Sequence, residues 1–429
     1  MPEQPDDWRA GLQQQAVDEI EHVICAFRPS SGGGVEIKAA RRESGLDHLY
    51  AEGQILVRDE YLGEVLDVLG LPDEPTLRAA GRIRRVIAGV VLLILDESTP
   101  AVLDALDVID QRLGRGLATP DHVLTVSPEV GVCPATEPQE IYYDVEPHPS
   151  ASQGNGGAGV LIYMDDTGLL KDAAATHPWL AGVQGDEDPL PPEDSSGKQP
   201  IPPYTGHGTF VAGVARCLAP AADVIVTDVF STAGSELESN WIPRLEAALG
   251  LGVDIFHLTI AAHSRHDFPL IAFREWLNHL REHGGAVCVV AAGNDGSRRP
   301  NWPAAFSDVI AVGALGGDWR SRATFSNFGS WVDVYAPGRD LINAYATGTY
   351  TCHVYPYTNE VRNFYGMAKW SGTSFSTPIV TGLIASRMSS TGETARQAAA
   401  AVLADARANA IPGVGPVLLP GGGVPLAGG

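Results

Sequence analysis

The sequence predicts an α/β protein: a mostly parallel sheet covered by helices on both faces, preceded by a small N-terminal α/β domain. Three observations carry this. Apolar strand cores alternate with helical patterns from Val160 to about Ser390, as expected of a parallel sheet whose crossovers are helices. A shorter alternation of the same kind precedes it. Three segments that bear reactive side chains, Asp166-Thr-Gly, Gly206-His-Gly-Thr and Gly372-Thr-Ser-Phe-Ser-Thr-Pro, follow a strand or open a helix, where open α/β sheets place their sites.

Taken in order, residues 1 to about 30 read as a helix, with Val17, Ile20, Val23, Ile24 and Phe27 at helical spacing before Pro29 and the glycines 32–34. Gln54–Arg58, Val86–Leu95 and His122–Val126 read as strands, and the stretches from Tyr61 and from Pro100 to Leu113 as helices. The Pro, Glu, Gly and Ser texture of 127–159 reads as a linker. Strand cores then recur at Val160–Met164, Asp223–Thr227, Asp254–Leu258, Ala286–Val290 and Val309–Val312. The Gly/Pro-rich tail from Ile411 is expected to be loosely ordered. The domain boundaries this implies are 1–145, 146–400 and 401–429.

Composition narrows the function classes. A formal charge of -23 over 429 residues disfavours nucleic acid or an anionic membrane as partner, since both demand basic surface. The longest apolar run, Val86–Leu95, is too short to span a bilayer. Five scattered cysteines (Cys25, Cys133, Cys217, Cys288, Cys352) lack metal-ligand spacing, so free thiols and no zinc site are expected. With no basic segment and apolar core at the N-terminus, a cytoplasmic location is the expectation.

The reactive segments point to nucleophilic catalysis. A serine hydroxyl needs an imidazole to take its proton and a carboxylate to orient that imidazole. Ser374, His207 and Asp166 are the candidates. Asp165 competes with Asp166, but strand side chains alternate, so only one of the pair points inward. Ser371 and Ser376 compete with Ser374. A fourth element, Val289-Val-Ala-Ala-Gly-Asn294, ends in a side-chain amide suited to donate to a tetrahedral oxyanion.

These motifs resemble those of the subtilisin-like serine peptidases, the subtilases, over about residues 160–390: Asp166-Thr-Gly, Gly206-His-Gly-Thr-x-Val-Ala-Gly, Ala292-Gly-Asn294 and Gly372-Thr-Ser-x-x-Ser-Thr-Pro, in that chain order. The resemblance implies a three-layer, doubly wound α/β/α fold and endopeptidase activity through an acyl-enzyme. It also implies the roles of base for His207, orienter for Asp166, nucleophile for Ser374 and oxyanion donor for Asn294. Its substrate-binding edge maps to Thr259, Ile260 and Ala261, and Ala292 and Gly293 are expected to bind substrate as well. Where such enzymes usually carry Ser-Leu-Gly, Thr259-Ile-Ala brings extra methyls, expected to narrow the cleft.

Two insertions depart from the pattern. An acidic loop with Asp186, Glu187, Asp188, Glu193 and Asp194 reads as solvated, with basic substrate residues or calcium as alternative contacts. The stretch from Tyr345 to Trp370 gathers Tyr345, Tyr350, Tyr355, Tyr357, Phe364 and Tyr365, suited either to peptide binding or to local packing. No cofactor or metal is expected otherwise. The N-terminal domain resembles a subtilase propeptide in size and pattern, which implies an inhibitory or regulatory partner for the cleft. Three readings follow: a serine endopeptidase, a maturation or signalling protease dedicated to one partner, or a catalytically silent binding module.

Overall fold

The computed structural model describes residues 20–420 apart from 22, 26, 28–33, 44, 98, 127–134, 143–145, 153, 196, 231–233 and 355. Most of the expected N-terminal helix, the end of the tail, Cys133 and Tyr355 lie outside the described residues.

The N-terminal region forms an antiparallel sheet from β1 (Ile37–Arg42), β2 (Gly45–Arg58), β3 (Ile83–Ile87), β4 (Val90–Ile94) and β5 (Ala118–Thr125), in the order β5-β2-β4-β3 with β1 also on β2. Helices α1 (Leu62–Leu69) and α2 (Val102–Leu113) cover one face, where Ile55, Val57, Val91 and Leu93 meet Leu66, Leu106 and Ile109. The single strand expected over Val86–Leu95 is instead two strands of a hairpin, turned at Ala88-Gly89, with Gly89 at φ 85°.

The body contains a parallel sheet of β6 (Leu161–Asp166), β7 (Gln184–Gly185), β9 (Asp223–Asp228), β11 (Ile255–Leu258), β12 (Val287–Ala291), β13 (Ile310–Leu315) and β14 (Val334–Pro337). Their order is β14-β13-β12-β11-β6-β9-β7. The chain leaves β6 toward β7 and β9, then returns to β11 on the other side. The strand order therefore reverses beside β6, and Asp166 sits at its carboxyl end, the position where doubly wound sheets open a crevice.

Strand alternation sorts the core into two layers. On one face Ile162, Met164, Val224, Val226 and Val289 pack with α3 (His207–Leu218), α6 (Thr373–Thr391) and α7 (Ala395–Ala408). On the other, Tyr163, Phe256, Leu258 and Val290 pack with Trp241 and Leu245 of α4 (Glu238–Ala248) and with Phe273 and Trp276 of α5 (Ile271–Glu282). The result is the three-layer α/β/α architecture.

The second face of the N-terminal sheet lies on α4 and α5. Leu56, Leu92 and Leu124 alternate with the residues that face α1 and α2, and they join Trp241, Phe273 and Trp276 in one cluster. Burial on both faces explains why β4, Val90–Ile94, is apolar throughout and shows no alternation in sequence. The body strand β10 (Ser235–Leu237) also extends this sheet, pairing antiparallel with β5. At the rim, Arg265 of the body bonds Asp110 and Asp107 of α2 at 2.8 and 2.5 Å, and Arg299 reaches Asp47 at 2.7 Å.

A third sheet joins β8 (Pro200–Ile201) to a hairpin of β15 (Leu341–Thr351) and β16 (Val361–Trp370). Two expectations are corrected here. Residues 135–152 are not a bare linker where described: Ala135, Gln139, His148 and Ser152 all donate backbone hydrogen bonds to the body. Residue 400 falls inside α7, and the tail from Ile411 is packed up to Leu418, with Tyr335 N–H donating to Pro416 O and Leu418 N–H to Tyr335 O. The outer edge of β14, through both the N–H and the C=O of Tyr335, supplies a partner for a segment whose composition alone suggested none.

Asp110 and Arg265 side chains are each 8% exposed. Removing the guanidinium leaves a buried carboxylate without its cation, so Arg265→Ala is expected to lower unfolding free energy by about 3 kcal/mol in urea titrations.

Candidate active site

Asp166 and His207 form a fully buried pair, with His207 Nδ1 2.6 Å from Asp166 Oδ1. Three elements converge to make it. β6 delivers Asp166 at its end, and α3 begins at His207 after Gly206 in the left-handed region. Between them the backbones touch: a Cβ on Gly208 would lie 2.4 Å from Gly168 O and 3.1 Å from Asp166 Oδ1. Only glycine admits that approach.

Burial alone would push the Asp166 carboxyl up. The His207 imidazole, the Thr167 N–H at 2.8 Å and the Thr259 hydroxyl at 2.8 Å together hold it below the usual carboxylate value. Its neighbour Asp165 faces the other way. There the indole N–H of Trp241 at 2.7 Å and the Thr227 hydroxyl at 2.8 Å donate to it, and burial pushes its carboxyl up to about 6.

The imidazole ring packs 5.3 Å from the Phe375 ring and 5.7 Å from Trp370, centroid to centroid, which sets it beside the start of α6. Three serines lie there, and their hydroxyls differ. Ser371 Oγ accepts from Asp340 N–H and Ser376 Oγ donates to Thr373 O. Ser374 Oγ is buried with no hydrogen-bond partner among the described residues, and so is His207 Nε2. The two atoms that a proton transfer would use are both uncommitted.

Asn294 follows β12. Its Oδ1 accepts from Thr373 N–H at 2.8 Å and from the Thr373 hydroxyl at 3.0 Å. A backbone N–H can only donate, so the facing atom must be the carbonyl oxygen, and Nδ2 is left to donate elsewhere. Ala292 is buried and its carbonyl accepts from Asn301 and Asn327 side chains at 3.1 and 2.9 Å. Gly293 has φ 96°, and a Cβ there would lie 2.1 Å from Asn301 Nδ2.

At the expected substrate edge, the backbone of Ala261 exchanges two 2.8 Å hydrogen bonds with Thr125, and Val126 N–H donates to Gly234 O at 3.0 Å. The end of β5 thus lies along this edge. Thr259 turns its hydroxyl to Asp166, and Ile260 is buried in the core on the α4/α5 side, so the Ile260 side chain adds no bulk to this edge. An edge engages its partner through backbone, and its side chains point across the sheet.

The acidic loop is not wholly solvated. Asp188 is buried and accepts from Gly206 N–H at 2.7 Å and the Thr167 hydroxyl at 3.0 Å, and Thr167 Oγ1 in turn accepts from Gly208 N–H at 3.0 Å. Burial pushes its carboxyl up to about 7. Sequence reading missed this tie between the Asp166 and His207 turns, as it missed Thr373, Asn301 and Asn327. Thr373, adjacent to Ser374, carried a local signal, and Asn327 lies in Phe325-Ser-Asn-Phe-Gly, a weaker echo of the family pattern. The aromatic insertion is mainly packed: Tyr345, Tyr350, Phe364 and Trp370 are buried, while Tyr357 and Tyr365 are exposed.

A family model described as the subtilase family matches residues 157–415. The chain belongs to the subtilase family. It is 30% identical over 243 residues to Subtilisin Savinase of Lederbergia lenta, covering 54% of this chain and 78% of that protein. It is also 30% identical to M-protease of Shouchella clausii, over 54% of this chain and 55% of that protein, so it spans only about half of some relatives. Thermitase of Thermoactinomyces vulgaris is 30% identical over 57% of this chain and 80% of its own length. Among solved structures, fervidolysin from Fervidobacterium pennivorans, a keratinolytic enzyme related to subtilisin, shares the fold, with TM-score 0.55 and 19% identity over 91% of this chain and 62% of that one.

Two outcomes follow from the geometry. Gly208→Ala is expected to abolish reaction of Ser374 with a fluorophosphonate while circular dichroism stays native-like, since the clash opens the His207–Asp166 contact. Thr259→Val removes a donor to a charged carboxylate and is expected to cost about 1.5–3 kcal/mol at neutral pH. Because the folded Asp166 value is depressed, the stability it confers is present above the unfolded carboxylate range and lost as pH falls through the folded value. Urea titrations at decreasing pH should therefore show the wild-type advantage shrinking in acid.

Proposed function

We propose that this chain is a serine endopeptidase that hydrolyses peptide bonds through an acyl-enzyme. The observation that carries the reading is the buried Asp166–His207 pair beside two uncommitted atoms, His207 Nε2 and Ser374 Oγ. Ser374 Oγ attacks the scissile carbonyl as His207 Nε2 takes its proton. The tetrahedral oxyanion draws on Asn294 Nδ2 and the N-H groups opening α6. Collapse of the intermediate breaks the C–N bond, and His207 gives its proton to the leaving amine. Water, deprotonated by the same base, then releases the acyl group and restores Ser374. Asp166 keeps Nδ1 protonated and stabilises the imidazolium. The scheme asks for no cofactor, and the protease names of the relatives support it.

The N-terminal domain acts as a restraint on the cleft. The end of β5 takes the backbone edge at Ala261 that an extended substrate would need, and its sheet is anchored on α4 and α5. A cleft held in this way favours a protease dedicated to one partner over general digestion. The free cysteines Cys217, Cys288 and Cys352 suit a reducing compartment such as the cytoplasm.

Intact mass spectrometry of wild type and Ser374→Ala, before and after a fluorophosphonate, tests the peptidase reading. One adduct confined to wild type is expected, and labelling of neither protein would favour a silent scaffold. For the restraint, Thr125→Pro deletes the N–H that donates to Ala261 O. Losing one hydrogen bond of about 1 kcal/mol should speed labelling about fivefold, and an unchanged rate would remove β5 as the block.

A further inference from the structure

The chain is docked at both ends of the region around Ser374. Before it, β5 pairs with Ala261. After it, Ala135 N–H donates to Ser371 O at 3.0 Å, and Gln139 exchanges backbone hydrogen bonds of 2.9 and 3.0 Å with Lys369. Residues 135–139 therefore run antiparallel along the free edge of β16, the strand that leads directly into Ser371 and Ser374.

Side chains reinforce this pairing. The Trp370 indole N–H donates to Thr136 O, and Arg362 Nη1 donates to Pro138 O at 2.8 Å. Glu137 is 5% exposed, and its Oε1 accepts from the Tyr350 hydroxyl and from His353 N–H. Burial and then this carboxylate push the adjacent Cys352 thiol up to about 12. The pocket around Glu137 thus offers donors and a nearby guanidinium, and its walls come from the β15–β16 hairpin, not from the sheet that holds Asp166.

We propose that the β16 edge and this pocket form a docking site for an extended peptide segment presenting a carboxylate, filled in cis by residues 135–139 in the chain as described. A polypeptide running in the same sense as this chain meets Ala261 first and β16 afterwards, so the segment recognised is the one downstream of the bond at Ser374. Calling that segment substrate rests on the serine-peptidase reading. The pairing itself does not. A carboxylate is selected over an apolar side chain because Tyr350 and His353 both donate to Oε1, and over an amide, whose oxygen could accept the same two bonds, because only a carboxylate offers the nearby Arg362 guanidinium an opposite charge.

The test uses the full chain carrying Ser374→Ala, so that nothing is cleaved, and a fluorescent peptide of residues 135–142 added in trans. Wild-type Glu137 should exclude the peptide, because the tethered segment competes at high effective concentration. Glu137→Lys places a cation beside Arg362 and should expel the tethered segment, giving saturable anisotropy binding. A peptide with Gln at the Glu137 position should bind on the order of tenfold more weakly. A second variant, Ala135→Pro with Gln139→Pro, deletes both backbone donors, leaves the pocket unaltered and should give the same result. No binding by either variant, with native circular dichroism, would overturn the proposal, as would equal binding by the Glu137 parent or indifference to Glu against Gln. Binding as expected in a protein whose Ser374 resists fluorophosphonate would sink the peptidase reading and leave the docking site standing.

Discussion

The arrangement around the candidate site depends on keeping one carboxylate charged where water does not reach. Asp166 has no exposed surface, and desolvation favours its neutral form. Its ionised form is maintained by donors from three separate places: His207 at the head of α3, the Thr167 amide next in chain, and the Thr259 hydroxyl from the end of β11. None of these can shift without disturbing the others. Gly208 and Gly168 are in contact so that α3 can begin close enough, and Asp188 ties the same two turns together from behind. The charge state of one side chain thus fixes where a helix starts and how closely two parallel strands must end together.

Asp165 and Asp166 make the same point by contrast. They are adjacent and equally buried, yet the pleat sends one toward α3 and the other toward Trp241 of α4. One carboxyl is held below its ordinary value, and the other is pushed up to about 6. Chemistry follows the face of the sheet more than the residue type. Glu238 extends the pattern to the domain boundary: it accepts from Ala272 N–H at the start of α5, yet burial pushes it up to about 8, and the imidazole beside it, His122 with Nδ1 3.7 Å from Glu238 Oε2, is itself pushed down to about 3 by burial and so offers no countercharge.

What the sequence disclosed was what short range determines. Motifs at the end of β6, the start of α3 and the start of α6 were legible because each places a reactive side chain within two residues of an element boundary. The five body strands were legible from their apolar cores. The rest depended on contacts distant in sequence. Thr259 looked like a substrate-edge residue, and its hydroxyl direction is known only once β11 lies beside β6. Asp188 looked solvated because its neighbours are acidic, and its burial comes from the His207 turn folding over it. The β3–β4 hairpin was hidden by the same burial on two faces that stabilises it, and the packed tail by its dependence on the free edge of β14.

The hold of the N-terminal region on the body has two layers with different sequence demands. The broad one is apolar, Leu56, Leu92 and Leu124 against Trp241, Phe273 and Trp276, and tolerates volume-conserving change. The narrow one is backbone pairing at Thr125 and Ala261, which any extended residue other than proline can make. A backbone contact of that kind is modest by itself. It persists because β5 is already positioned by β2 and β10 on its two edges, so little further ordering entropy is lost when Thr125 meets Ala261. Separating β5 from Ala261 therefore means disturbing a sheet that runs continuously from β3 to β10, and the hold of this sheet on the body resides mainly in its contacts with α4 and α5.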